Sequence, residues 1–172
     1  MTAALQLRVL ERISEIPAAQ WNALAGSYPF LQHEFLNALE HTGCASPRTG
    51  WTPQHLLLCD ARGLVAAAPL YRKEHSWGEF VFDFAWARAA EQRGLPYYPK
   101  LVCAVPFTPA TGPRLLCRPG LPQAPLRAAL LAWMREQAGE LPASAARAAG
   151  AARAGPPARP APPVSSAHGL FL

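Results

Sequence analysis

Asp83 stands in a run where aromatic residues alternate along the chain: Phe80, Phe82, Phe84 and Trp86. A carboxyl group among apolar rings loses hydration, which raises its pKa and suits it to act as a general base. Its plainer role is a strand-end carboxylate that accepts from a backbone N–H. Glu79 lies four residues earlier, and on one extended strand that places the two roughly 13 Å apart at about 3.3 Å per residue. Carboxylates that cooperate in glycoside hydrolysis sit closer, at about 5–9.5 Å. Asp83 is therefore a lone acid–base candidate. Tyr97, Tyr98 and Lys100, with Trp77 and Trp86, can line a groove for a peptide or an amino sugar. Aromatic residues in alternating strands serve equally well as core.

Other chemistries find little support. The five histidines form no metal set, because His33-Glu34 lacks a second His four residues on. There is no Gly-x-Ser-x-Gly elbow, no Gly-x-Gly-x-x-Gly and no phosphate-binding Walker loop. Cys44, Cys59, Cys103 and Cys117 include no Cys-x-x-Cys pair and read as buried free thiols of a reducing compartment. The net charge of +5 invites a nucleic-acid reading. Three of the arginines, Arg147, Arg153 and Arg159, sit in a Pro/Ala-rich stretch, and no basic cluster with interleaved aromatics is left elsewhere, so no nucleic-acid partner is expected. No apolar run approaches the roughly 20 residues of a membrane span. The first 13 residues carry Arg8, Glu11 and Arg12 and do not form a signal peptide. The cytoplasm is the expected location.

These candidates need elements to position them. Leu5, Leu7 and Val9 alternate with polar residues and predict a first strand. Pro17 opens a short helix carrying Trp21 and Leu24. A second helix over 29–41 would bury Leu31, Phe35, Ala38 and Leu39 and stop at Gly43. A hairpin follows, with strands at 54–59 and 64–72 joined by Asp60-Ala61-Arg62-Gly63. The start of 77–86 reads as a strand, and 85–93 as a helix before Gly94. Residues 97–107 and 112–118 are extended, with prolines implying bulges or edges. Leu126, Leu130, Trp133 and Met134 share one side of a helix over 123–138. Half the residues are apolar, enough for one domain's core, while only 16% are charged. The class is α+β or mixed-sheet α/β.

Composition then shifts. Of residues 142–163, ten are Ala and six are Pro, with no large apolar side chain. Such a stretch has nothing to bury against its ordering entropy and reads as disordered. The division is 1–140 as the domain, 141–163 as a Pro/Ala-rich insertion or tail, and 164–172, ending Leu170-Phe171-Leu172, as the start of a further strand.

Several segments together resemble one bacterial family. They are Gly50-Trp51-Thr52-Pro53-Gln54-His55-Leu56-Leu57-Leu58, Leu64-Val65-Ala66-Ala67-Ala68-Pro69-Leu70-Tyr71, Phe82-Asp83-Phe84-Ala85-Trp86, Tyr97-Tyr98-Pro99-Lys100-Leu101 and Val105-Pro106-Phe107-Thr108-Pro109-Ala110-Thr111-Gly112-Pro113-Arg114-Leu115. The family is the FemAB-like group of the GNAT superfamily, associated with peptidoglycan biosynthesis or recognition, and the likeness spans about residues 5–138. It implies an N-acyltransferase-like fold of two tandem halves, of which this chain would hold the first. The carboxy-terminal half would be the missing partner, and the GNAT-like sheet would be incomplete. Acyl-CoA or an aminoacyl donor would serve the full-length family, with no cofactor in this portion. Gly112-Pro113 with Arg114 echoes a strand motif of Fem-type aminoacyltransferases.

An acyl-CoA site needs free backbone N–H groups where a loop enters a helix. Here that stretch is Arg118-Pro119-Gly120-Leu121-Pro122-Gln123-Ala124-Pro125, whose prolines remove three donors. The expected function is thus the amino-terminal half of an acyl- or aminoacyl-transferase, inactive alone, with Asp83, Trp86, Tyr97, Tyr98, Lys100 and Arg114 as candidate substrate contacts. The competing readings are a non-catalytic peptide- or glycan-binding module and a truncated product without function.

Overall fold

A computed structural model describes residues 5–79 and 82–152. The elements run β1 (Gln6–Leu10), α1 (Ala18–Ala25), α2 (His33–His41), β2 (Trp51–Pro53), β3 (His55–Asp60), β4 (Gly63–Ala68), β5 (Leu70–Lys73), α3 (Phe84–Gln92), β6 (Lys100–Cys103), β7 (Leu116–Cys117) and α4 (Gln123–Ala152). The strands form two sheets, ordered β1-β3-β4-β7 and β2-β5-β6, and every described ladder is antiparallel. The fold is α+β.

The first sheet is the middle of three layers. Leu57 in β3 faces one way, into a core with Trp21, Leu31 and Leu36 from α1, α2 and the 3-10 turn before α2. Its neighbours Leu56 and Leu58 face the other way, towards Leu126 and Leu130 of α4. A strand covered on both faces reads as an unbroken apolar run, and that explains Leu56-Leu57-Leu58. Ala66, Ala67 and Ala68 are fully buried in β4, and α1 and α4 both pack on that strand. The ladder shifts register between Leu58 and Cys59, leaving Val65 as the extra residue of a bulge. The hairpin turn forms as expected, with Asp60 Oδ1 accepting from the Arg62 N–H at 2.7 Å.

The expected strand over 64–72 divides at Pro69. Proline has no N–H for a ladder, and at this point the chain leaves the first sheet as β4 and enters the second as β5. The division places Tyr71 and Lys73 in a separate core with Trp51, Ala45 and Leu39. The expected single helix over 29–41 is likewise two pieces, a 3-10 turn at Pro29–Leu31 and then α2. Rotation at Gln32 changes the buried face: Leu31, His33 and Leu36 are buried, while Phe35 is partly covered and Ala38 is exposed.

No strand forms at 77–79; these residues belong to a turn leading to α3, and Phe80 lies outside the described residues. Of the extended stretches expected at 97–107 and 112–118, only β6 and the two-residue β7 enter ladders. The loop between them is tied down by the Tyr28 hydroxyl, which donates to the Thr111 carbonyl at 2.6 Å. A Cβ on Gly112 would lie 2.8 Å from Tyr28 Cζ, so the ring fixes a glycine there. Helix α4 continues past Pro142 to Ala152. Alanine is the best intrinsic helix former, and the alanine-rich sequence past Pro142 suits a helical backbone. The remainder of the Pro/Ala stretch and 164–172 lie outside the described residues.

Candidate functional site

The turn between β5 and α3 is built on a lysine. Lys73 is in phase with Tyr71 on β5 and is completely buried. Its ammonium donates to the Trp77 carbonyl at 2.7 Å and lies 4.1 Å from the centre of the Trp51 ring. Burial pulls its pKa down to about 8, with Lys100 adding to the fall and Glu79 and Asp83 opposing it. Gly78 crosses the same ring. Its φ is +82°, and a Cβ there would lie 2.6 Å from the Phe107 ring and 2.9 Å from Trp51 Nε1. Phe107 itself has φ 57°, unusual for a bulky residue, and packs 5.6 Å from Trp51.

Held by this turn, Ser76, Glu79 and Asp83 meet three side chains from the β6 region. The Lys100 ammonium donates to Asp83 Oδ2, and to Glu79 Oε2 at 3.0 Å. The Tyr97 hydroxyl donates to Asp83 Oδ2 at 2.7 Å. Ser76 Oγ contacts both Asp83 Oδ1 and the Tyr98 hydroxyl. Ser76 has one proton and the carboxylate only accepts, so Ser76 donates to Asp83 and accepts from Tyr98. The Lys100 ammonium also lies 5.4 and 5.7 Å from the Tyr97 and Tyr98 ring centres, within cation–π range.

Burial alone would raise the Asp83 carboxyl. Hydrogen bonds from Lys100, Ser76 and Tyr97, with the Lys100 charge, overcome it and bring the pKa down to about 2. The expected upward shift is therefore reversed, because the rings around Asp83 bring hydroxyls and an ammonium with them. Lys100 is desolvated too, yet its two carboxylate partners raise its pKa. Burial and the bond to Asp83 push Tyr97 up to about 12, and burial raises Tyr98 as well. Asp83 is thus a fixed anion, not a base poised near neutrality. Its chemistry is to hold Ser76, Tyr97 and Lys100 in one arrangement. Trp51 Nε1 and Glu79 Oε1 are buried here without a partner, a cost of about 1–3 kcal/mol each that packing alone would not select.

Beside the cluster lies an aromatic shelf. Trp77 is 68% exposed and Phe82 62%. Phe84 joins Trp77 and Phe82 at ring-centre distances of 5.4 and 5.7 Å. None of the residues of α3 is buried. Large apolar surface left in contact with water at one place marks a binding face.

A family model described as peptidoglycan biosynthesis/recognition, FemAB-like, matches residues 12–152. The chain belongs to that FemAB-like family. No curated protein and no solved structure matches it. The matched span holds the whole Asp83 cluster and the shelf.

Of the six candidate residues in this FemAB-like chain, four converge: Asp83, Tyr97, Tyr98 and Lys100. Trp86 stands apart on the exposed side of α3. Arg114 is elsewhere, its guanidinium donating to the Ala110, Gly112 and Pro113 carbonyls at 2.8–3.3 Å, so it shapes its own loop. The 13 Å separation expected for Glu79 and Asp83 fails because no strand joins them, and both reach one ammonium. Asp83 caps no backbone N–H of α3, contrary to its plainer reading. Sequence reasoning missed Ser76 and Lys73. Lys73 had a signal, its period-2 phase with Tyr71, whereas Ser76 had none.

A second polar pair was also missed. His55 is completely buried, and its Nε2 meets Glu40 Oε1 at 2.6 Å. The other oxygen of Glu40 accepts from the Ile13 N–H at 2.8 Å. Through one carboxylate α2 is tied to β3 and to the 3-10 turn after β1. Among the described residues, no three His, Cys, Asp or Glu side chains converge as a metal site requires, and no helix is long and apolar enough to cross a membrane.

Proposed function

We propose that this chain serves peptidoglycan biosynthesis as part of an acyl- or aminoacyl-transferase of the N-acyltransferase type. Its Asp83 cluster and aromatic shelf receive the amine-bearing acceptor, a cell-wall peptide or amino sugar. The observation that carries this reading is the juxtaposition of exposed Trp77 and Phe82 with a fixed set of hydroxyls, carboxylates and an ammonium. Sugar rings and peptide side chains offer both an apolar face and polar edges, and this surface presents both complements. Membership of a family described by peptidoglycan biosynthesis/recognition supports a cell-wall substrate.

The donor, acyl-CoA or an aminoacyl carrier, is held by a second acyltransferase-like unit in this reading. The loop entering α4 and the helix's first turn carry Pro119, Pro122 and Pro125, and the Arg118 N–H is already committed to the Val65 carbonyl at 2.8 Å. Few amides are left there to cradle a pyrophosphate. A second reading, a binding module without chemistry, is favoured by one observation: Asp83 is held near pKa 2 and cannot take a proton near neutrality.

Isothermal titration tests the proposal in two arms. A disaccharide–peptide released from peptidoglycan is expected to bind the chain, and acetyl-CoA is not. Acetyl-CoA binding in the low micromolar range with no muropeptide binding would overturn the assignment of the acceptor to this chain. Transfer to the muropeptide amine once a second unit and a donor are added separates the transferase from the binding module.

A further inference from the structure

Among the described residues, β1 is the least protected strand edge. It pairs with β3 on one side and has no backbone partner on the other among the described residues. Proteins block such edges with prolines, bulges, short strands or a covering element. The other edges show these devices: β2 contains Pro53 and gives its Trp51 N–H to Ser46, β7 has two residues, and β6 packs against α4. β1 has five residues, Gln6-Leu7-Arg8-Val9-Leu10, an unbroken register with β3 and no proline. Val9 on it and Leu5 just before it are 40% and 42% exposed.

We propose that β1 is a docking strand for an extended acidic peptide, which adds to the sheet as a further strand. Main-chain hydrogen bonds to a free edge supply affinity for any extended chain, and side chains select among them. Arg8 is exposed at the middle of the edge and has no carboxylate partner among the described residues. Beyond Val9 the path runs into a groove of about 860 Å³. Arg12 stands there, also without a carboxylate partner, and so does Arg72, which is shared with Glu74. Glu11 and Glu40 oppose them in the groove, Glu40 with its two oxygens held by His55 and the Ile13 N–H. On the edge itself the one charge is that of Arg8, and that charge favours an acidic residue on the incoming strand. It opposes a second copy paired symmetrically about Arg8, where like charges would face each other.

The probes are a capped pentapeptide alternating valine and glutamate, its lysine counterpart, and two versions of the first N-methylated at alternate amides, one for each set of outward N–H groups. Amide hydrogen exchange of the full chain is the readout. The glutamate probe is expected to slow exchange at residues 6–10, and to bind at least tenfold more tightly than the lysine probe. Arg8→Glu, at an exposed position, should reverse that preference, and one of the two N-methylated probes should lose binding. Equal binding of both charged probes, full binding by both N-methylated probes, or no protection at 6–10 would overturn the proposal. So would a dimer of the free chain with those amides already protected, which would assign the edge to a second copy.

Discussion

The Lys100 ammonium bridges the carboxylates of Asp83 and Glu79, which the chain brings to one point through a turn and not along a strand. This bridge joins β6 to the segment leading into α3, a helix with no buried residue to hold it otherwise. A nine-residue helix is marginal in water on its own. The cluster is therefore the anchor of the aromatic shelf as well as its polar neighbour.

The depressed pKa of Asp83 sets an acid limit. A carboxyl at about 2 in the fold against an ordinary 3.8 contributes stability that is fully present above the ordinary value and lost as pH falls through the folded one. Urea unfolding of the wild type and of Asp83→Asn should differ by a constant amount above about pH 4. The difference should shrink towards pH 2. A difference independent of pH across that window would mean that Asp83 is not held ionised by its partners.

Lys73 acts in the opposite direction. Its folded pKa of about 8 lies below the ordinary 10.5, so the unfolded chain binds the proton more tightly and the charged lysine opposes folding. That opposition is relieved as pH rises from about 8 to 10. Thermal unfolding over this range should show the wild type gaining on Lys73→Met. Above about 10 the raised tyrosines, Tyr97 at about 12 among them, reverse the trend because unfolded tyrosines lose protons first. Parallel pH profiles for wild type and variant would place Lys73 in contact with water.

Much of the fold was legible. The hairpin at Asp60–Gly63, the two short amino-terminal helices and the start of α4 follow from turn residues and apolar period. What was not legible came from tertiary packing. Pro69 divides one apolar run between two sheets, because a local pattern does not say which sheet a strand joins. Asp83, Tyr97, Tyr98 and Lys100 were recognisable as chemistry-bearing residues near one another in sequence. The direction of the Asp83 shift was not, since it depends on Ser76 and Lys100 arriving across the turn. Trp86 and Arg114 were grouped with them on sequence alone, and the backbone carries both away.

Glu40 should prove costly to remove. Its carboxylate satisfies a buried imidazole and a backbone N–H together. Glu40→Ala leaves both without a partner and should destabilise the fold by about 3–5 kcal/mol. Glu40→Gln, which keeps an acceptor, should cost less. Equal losses from denaturant unfolding of the two variants would show that volume, not hydrogen bonding, is what Glu40 contributes.

The shelf should be sticky. With Trp77 and Phe82 each more than 60% exposed, the free chain should bind the dye ANS. Trp77→Ser combined with Phe82→Ser should reduce the dye signal at least twofold with little change in stability. An unchanged signal would locate the accessible apolar surface elsewhere.

The central claim, that the Asp83 cluster and the shelf form the acceptor-binding face, is tested most directly by a nuclear magnetic resonance titration. Isotopically labelled chain would be titrated with a disaccharide–pentapeptide from peptidoglycan. Saturable shifts are expected, confined to the indole and amide signals of Trp77 and the amides of Phe82, Tyr97, Tyr98 and Lys100, and weakened at least tenfold in Trp77→Ala. Saturable shifts that map to the opposite side of the molecule, or no shifts at millimolar ligand, would contradict it.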